Sequence, residues 1–325
     1  MGEKGFNLKI FVTGATGFAG QHYIHQYDSA SHRIYGTSFP ENPAEISRFD
    51  GKPFGKSIVW LDIRNEKDIR KMLRDIQPDW IFHFAAVSNV GQSWHNKRTT
   101  LETNLMGTFF LFEAAKEESH HSRLLFISSS DVYGVLPPEE MPLKENRPLH
   151  VVNPYAFTKA GGEMLCDFYH KIEGLDIVIG RPFPHTGPAQ SSLFVCSDWA
   201  AQIARIEKET EEPVIHVGNL DVERDYTDVR DVVRAYRVLL EKGKSGEIYN
   251  ICTGKAVKLM DVLRILLSFS KKKIKIYHDP EKKRKTDIPI LIGDNTKINK
   301  ETGWEPDISL EQSLSDLLEF WRKTV

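Results

Sequence analysis

The sequence predicts an α/β protein in which a doubly wound parallel sheet is followed by a smaller C-terminal α/β region. Three observations carry that prediction. Short runs rich in β-branched and aromatic residues alternate with helix-period segments through about the first 180 residues, a rhythm that implies a parallel sheet wrapped by helices. A glycine-rich turn follows the first of these runs and opens a helix. After Arg181 the rhythm breaks into a loop rich in proline and glycine.

Composition narrows the function classes. The chain has 325 residues, enough for one large domain or two moderate ones without cross-links or metal. A formal charge of −2 gives no overall field to draw it to nucleic acid or an anionic membrane. No apolar run approaches the roughly 18 residues of a membrane span. The three cysteines, Cys166, Cys196 and Cys252, are odd in number and form no CxxC, so neither a disulfide framework nor a thiolate zinc site is indicated. Met1 runs into a strand-like segment by Lys9, which leaves no room for a secretory leader. The expectation is a cytoplasmic protein with no membrane, nucleic-acid or metal partner.

Taken in order, the candidate strands are 9–13, 33–37, 58–61, 80–85, 123–128 and 176–181. Helical patterns lie between them at 18–27, at 66–76 before Pro78, at 104–117, and at 154–172 before Gly174. Beyond Arg181 come a helix over 198–209, an apolar run at 214–217 and a helix over 229–240. A strand at 247–252 is expected to return to the first sheet, followed by helices over 259–268 and 310–322. The expected division is 1–180 as a first domain, with 229–252 returning to it, and 181–325 as a second.

The turn Gly14-Ala15-Thr16-Gly17-Phe18-Ala19-Gly20 sits between a strand and a helix. Its first glycine permits the tight turn, its second lets backbone approach a pyrophosphate, and its third lets helix and strand pack closely. Gly14, Thr16, Gly17, Phe18 and Gly20 thus read as the dinucleotide clamp of a Rossmann domain. A ribose with a free 2′-hydroxyl usually meets an acidic residue at the end of the second strand, but that stretch reads Ile34-Tyr35-Gly36-Thr37-Ser38-Phe39. A 2′-phosphate meets no repulsion there, and Thr37 and Ser38 can donate to it, although the first arginine after Arg33 is Arg48. NADPH is the expected cofactor, with NADH as the alternative. Asp62-Ile63 reads either as an adenine contact or as a strand-end turn. Gly51 to Ser57 imitates a phosphate loop but has three residues between its glycines, where that motif needs four, and it precedes a strand.

In Asn153-Pro154-Tyr155-Ala156-Phe157-Thr158-Lys159, Asn153 suits a helix N-cap and Pro154 the first turn, so Tyr155 and Lys159 share one face. A free phenol titrates near ~10, and an adjacent ammonium favours its ionised form. The spacing therefore predicts a phenol drawn toward neutral pH. Ser129, in the polar strand end Ser128-Ser129-Ser130-Asp131, is the expected hydrogen-bond partner of the reacting oxygen. Asp131 reads either as a further catalytic group or as a cap for the following turn.

Several motifs together resemble the extended short-chain dehydrogenase/reductase family, which acts on nucleotide-activated sugars. TGxxGFxG matches Thr13 to Gly20, and YxxxK matches Tyr155 and Lys159. HxAA matches His83, Ala85 and Ala86, and NxxGT matches Asn104, Gly107 and Thr108. The downstream half is similar to the GDP-4-keto-6-deoxy-D-mannose reductase branch through Arg181 to Gln190, Val217 to Asp231 and Asp287 to Asp294. The resemblance implies NAD(P)H-dependent reduction of a GDP-linked 4-keto-6-deoxyhexose at C4, giving GDP-D-rhamnose or its epimer. It implies cofactor contacts at Ala85 and Ala86, and substrate contacts at Ser88, Ser130, Pro184 and His185. Val217 and Asn219 join them, with Arg224 and Arg284 on the nucleotide and diphosphate; His185 reads equally as a structural histidine.

Three departures bear on the sugar pocket: Pro184 stands where relatives usually carry asparagine, Ala189 interrupts GPGQ, and Lys285 replaces a proline. The related GDP-mannose 4,6-dehydratases usually carry glutamate at the place of Asp131, and the shorter aspartate argues against elimination. The alternatives are a dehydratase, an epimerase or a non-catalytic dinucleotide sensor; retention of Tyr155 and Lys159 argues against the sensor. Lysines from Lys271 to Lys285 read as a solvated face or a diphosphate rim. Phe109, Phe110, Leu111, Phe112, Met164, Leu165 and Phe168 give two helices apolar faces, read as core packing or, by resemblance, as a homodimer bundle.

Overall fold

The computed structural model describes residues 8–27, 32–39, 58–282 and 288–325. The phosphate-loop imitation at 51–57 lies outside them, as do Arg48, Arg284 and Lys285.

Seven parallel strands form the main sheet: β1 (Leu8–Thr13), β2 (His32–Ser38), β3 (Ile58–Trp60), β4 (Trp80–His83), β5 (Arg123–Ile127), β6 (Asp176–Pro182) and β11 (Ile248–Ile251). Their order is β11-β6-β5-β4-β1-β2-β3. β1 pairs with β2 on one side and β4 on the other, so the direction of winding reverses at its carboxyl end. That reversal opens the crevice where such sheets take ligands.

Both faces of the sheet are covered, which is why its strands read as nearly continuous apolar runs. Successive β1 residues alternate between two cores. Ile10 and Val12 enter one with Tyr23 of α1 (Phe18–Tyr27) and Tyr236 of α8 (Val229–Lys242). Phe11 enters the other with Leu73 of α2 (Glu66–Ile76), Phe112 of α5 (Gly107–Glu118) and Tyr169 of α6 (Pro154–Lys171). Each such fully buried side chain contributes about 1.5–3 kcal/mol. Local signals set the helix ends: the Asn153 side chain accepts from the Ala156 N–H at 2.7 Å, with Pro154 in the first turn of α6.

The segment expected to be one helix over 104–117 is composite. α3 (Val90–His95) and α4 (Lys97–Leu101) precede it, a π turn spans Glu102–Met106, and α5 follows. Within the π turn Asn104 grips the Val87 backbone from both sides, accepting from its N–H at 2.7 Å and donating to its C=O at 3.0 Å. A widened turn of this kind re-aims a side chain that a regular helix would place differently.

The second region has its own core. Trp199 and Ile203 of α7 (Val195–Glu207) pack with Val262 and Leu266 of α9 (Leu259–Ser268) and with Leu314 and Leu317 of α11 (Leu310–Thr324). Four short strand pairings complete it. β7 (His185–Thr186) runs parallel to β10 (Thr227–Asp228). β8 (Val214–Val217) runs parallel to β13 (Lys275–His278). β9 (Glu223–Arg224) lies between β12 (Val257–Lys258) and β14 (Ile290–Leu291). The chain crosses between the cores repeatedly: α8 and β11 belong with the sheet, and so do Ile298 of α10 (Thr296–Thr302) and Trp304.

Candidate active site

The glycine turn occupies the crevice beside β1. Gly14 has φ +65°, and a Cβ there would lie 2.7 Å from the Ala85 backbone nitrogen. A Cβ on Gly20 would come within 2.4 Å of the Gly14 carbonyl. Bare backbone is therefore obligatory where α1 begins. The first N–H groups of that helix and the positive end of its dipole favour an anion there. The turn fits a dinucleotide diphosphate on this ground.

At the ribose end, the Thr16 hydroxyl bonds the Ser38 hydroxyl at 2.7 Å, and the Ala15 N–H donates to the Thr37 carbonyl at 2.8 Å. Thr37 and Ser38 are buried beneath these contacts. Asp62 makes the strand-end turn, accepting from the Arg64 N–H at 2.9 Å and from the same residue's guanidinium. Ile63 is buried against α5, where a Cβ on Gly107 would meet its side chain.

Ala85 and Ala86 lie just past β4, and a buried polar chain anchors that strand end. Thr13 Oγ1 accepts from the Ala85 N–H at 3.1 Å and bonds His83 Nδ1 at 2.8 Å. His83 Nε2 meets Thr108 Oγ1 at 2.9 Å, and that hydroxyl donates to the Asn104 carbonyl. With the Thr108 proton committed, His83 must carry its own on Nε2 and accept from Thr13 at Nδ1. Burial, with a smaller push from Lys159, drives this histidine down to about 3 and keeps it neutral. Asn104 continues the chain to Thr158 at 3.0 Å, whose hydroxyl donates to the Tyr155 carbonyl at 2.8 Å. The glycine turn and the Tyr155 helix are thereby joined through side chains, a link that the motif residues announced without their geometry.

Ser129 is extended and caps the short turn Ser130–Tyr133, its Oγ accepting from the Asp131 N–H at 3.1 Å. The capping expected as an alternative role for Asp131 thus falls to Ser129. The Ser129 hydroxyl reaches the Asp131 carboxylate at 3.4 Å and also bonds the Tyr155 hydroxyl. Ser130 is buried within the turn, whereas Ser88 is exposed before α3.

The phenol sits on the pH scale opposite to expectation. Burial pushes Tyr155 well above its ordinary value, the Asp131 carboxylate adds to that, and the Ser129 hydrogen bond opposes it. Lys159 does not offset these effects because its Nζ donates to the Ile127 carbonyl at 2.7 Å and lies 5.9 Å from the Tyr155 ring centroid. Burial lowers Lys159 to about 8, against opposing effects of Cys166 and Glu163. One turn along α6, Glu163 and Arg181 form a buried bidentate pair at 2.8 and 2.6 Å. Arg181 also donates to the Tyr133 hydroxyl at 2.9 Å. This brace was not read from the sequence, since its partners lie on different elements.

Facing the turn, the His185 ring stacks on Phe18 with centroids 5.8 Å apart, and its Nδ1 donates to the Phe183 carbonyl at 3.0 Å. Burial is the main influence and lowers its pKa. His22 of α1 donates from Nε2 to the Pro188 carbonyl at 2.8 Å, tying the two regions together. Pro184 accepts from the Thr227 N–H at 3.0 Å. Val217, at the end of β8, is packed in the second core. Asn219 accepts from the Asp221 N–H at 3.0 Å, and Arg224 lies on β9 with Nη1 donating to the Glu223 carbonyl at 2.8 Å. Beside it, buried Asp225 takes hydrogen bonds from Thr253, Gly254 and Gly293.

The chain is similar to known proteins over nearly its whole length. A family profile described as GDP-mannose 4,6 dehydratase matches residues 11–317. The chain is 33% identical over 317 residues to GDP-6-deoxy-D-mannose reductase of Pseudomonas aeruginosa, covering 98% of each chain. It is 25% identical over 348 residues to GDP-mannose 4,6-dehydratase of Yersinia enterocolitica, covering 95% of this chain and 92% of the relative. Among solved structures, RMD from Pseudomonas aeruginosa complexed with NADPH superposes with a TM-score of 0.84 at 31% identity, covering 98% of this chain and 100% of that one. The protein belongs to the GDP-mannose 4,6-dehydratase family of extended short-chain dehydrogenases/reductases.

Proposed function

We propose that this protein is an NAD(P)H-dependent 4-ketosugar reductase acting on a GDP-linked 4-keto-6-deoxyhexose. The observation that carries the reading is a buried phenol next to Ser129 and Asp131, past the carboxyl end of β5 in the sheet whose winding reverses at β1. The similarity to GDP-6-deoxy-D-mannose reductase supports the substrate class.

Gly14, Gly17 and Gly20 with the start of α1 would hold the diphosphate, and Thr16, Thr37 and Ser38 would stand at the ribose. When bound, a reduced nicotinamide supplies the hydride for C4. Tyr155 gives its phenolic proton to the C4 oxygen as that oxygen gains electrons, which leaves an alcohol on the sugar. Ser129 donates a hydrogen bond to the same oxygen and fixes its position. Burial, with Asp131 adding to it, holds the phenol in its acid form until that transfer. Lys159, near half protonation at about pH 8, secures the β5 end through Ile127.

The test is incubation with NADPH and a GDP-4-keto-6-deoxyhexose, and separately with GDP-mannose alone. Cofactor oxidation only with the keto sugar is expected; conversion of GDP-mannose to a keto sugar would instead mark a dehydratase. Tyr155→Phe should lower kcat by about 10²–10⁴-fold, the usual contribution of a positioned acid. Wild-type turnover in that variant would remove Tyr155 from the step.

Assembly as a homodimer belongs to the same reading. Phe157, Met164 and Phe168 form an exposed apolar stripe along α6, with Ile172 just beyond its end. An exposed patch of this kind marks an interface. Sedimentation should give a dimer, and Met164→Glu should shift it to monomer; a monomeric wild type contradicts this arrangement.

A further inference from the structure

The turn that follows Ser129 is anchored at its far end by Tyr133, which is fully buried in a small core with Leu143, Phe183, Cys252 and Leu291. The Tyr133 hydroxyl accepts from Arg181 Nη1 at 2.9 Å and donates to Asn250 Oδ1 at 2.7 Å. Both partners are themselves fixed. Arg181 holds Glu163 with two nitrogens and donates from Nη1 to the Glu145 carbonyl at 3.0 Å. Asn250 of β11 donates from Nδ2 to the Leu143 carbonyl at 2.8 Å, which turns its oxygen toward the phenol, and its N–H binds Glu145 Oε1 at 2.9 Å. A buried network satisfied in this way specifies one arrangement. Ser129 depends on it. The chain just before Ser129 is held by the sheet, where the Ser128 N–H donates to the Gly180 carbonyl at 2.8 Å. The Ser129 hydroxyl oxygen follows the turn instead, because it accepts from the Asp131 N–H at 3.1 Å. The Asp131 carbonyl accepts in its turn from the Gly134 N–H at 3.1 Å, immediately after Tyr133. A shift of Tyr133 would therefore rotate the Ser129 hydroxyl relative to the Tyr155 hydroxyl that it bonds.

We infer that Tyr133 is a positioning residue for the reduction: through its hydroxyl it fixes the direction in which Ser129 meets the C4 oxygen. The inference rests on the function proposed above. Having no exposed surface, Tyr133 acts on the site only through the turn it ends. Burial is the main influence on its hydroxyl and pushes it up to about 12, so it remains a donor to Asn250 through the neutral range. A misplacement of about 1 Å near a reacting atom can cost on the order of 10²-fold in rate, so an anchor of this kind bears on turnover more than on binding.

The experiment compares wild type, Tyr133→Phe, Ser129→Ala and the double variant with NADPH and a GDP-4-keto-6-deoxyhexose, well below the melting temperature of each. Tyr133→Phe keeps the ring in its core and removes both hydrogen bonds. It should lower kcat about tenfold while KM for the keto sugar and the calorimetric Kd for NADPH stay within about twofold, the mark of an interaction lost in the transition state. In the Ser129→Ala background the same substitution should lower kcat by less than about twofold, because residues that act through one another are not additive. Asn250→Ala removes the acceptor on β11 and should lower kcat in the same sense by about threefold, the size of a weak hydrogen bond, which keeps the test readable if Tyr133→Phe folds poorly. An unchanged kcat in either Tyr133→Phe or Asn250→Ala overturns the inference. So does an equal loss with and without the Ser129 hydroxyl, since a merely structural role would slow both backgrounds alike. A wild type that oxidises no NADPH with the keto sugar is a different result, which removes the proposed function together with this inference.

Discussion

Asp131 gives the candidate site its direction. A carboxylate close to a buried phenol raises the cost of ionising that phenol, because two like charges in a poorly solvated space repel. The acid form of Tyr155 is the one that reduction consumes, and burial, with Asp131 adding to it, pushes the phenol above its ordinary value. The kcat profile of the wild type should therefore show no Tyr155-dependent fall up to about pH 10, the ordinary phenol value; such a fall below that pH would show that the phenol is not held in its acid form. The residue types were legible from the YxxxK spacing and the serine strand end, but the sense of the pKa shift was not. It depends on where the Lys159 ammonium points, and the Ile127 carbonyl claims it.

At the scale of elements, α6 is held in place by a charge pair as well as by apolar packing. Glu163 and Arg181 are both nearly excluded from solvent, and Glu163 also accepts from the Ser128 hydroxyl at the end of β5. Arg181→Met leaves a buried carboxylate without its counter-ion and should cost about 3–5 kcal/mol of stability. Adding Glu163→Leu should recover most of that loss, because the pair's desolvation roughly cancels its attraction. Urea unfolding of the single and double variants checks both values; an additive pair of losses would mean that the contact contributes little. Periodicity located α1, α2 and α9 at the same ends the structure gives them, since caps, Pro78 and apolar spacing are local signals. It missed the π turn at Asn104 because the reason for that turn is Val87, on another segment.

The whole molecule carries a pH dependence of its own. His22 and His83 are neutral in the fold, lowered to about 4 and about 3, chiefly by burial. Both regain an ordinary value near 6.5 when unfolded. Their contribution is thus fully present above pH 6.5 and is lost as pH falls toward the folded values, because the unfolded chain then binds more protons. Each should remove up to about 1.4 kcal/mol per pH unit in that window. Melting temperature should drop between pH 7 and pH 5, before most carboxylates titrate. His22→Gln, whose amide can still donate to Pro188, should shallow the drop; a flat profile in wild type would contradict the neutral assignment. The sequence by itself determined the alternating architecture, the glycine turn and the tyrosine–lysine helix, because strand period, turn chemistry and helix spacing are properties of neighbouring residues. Only the tertiary structure decided that Arg64 packs on Phe39 at the end of β2, that Val217 packs in a core, and that burial pushes the Tyr155 phenol above its ordinary value. Those outcomes depend on which distant groups share a small, dry space, and that is settled by packing rather than by order along the chain.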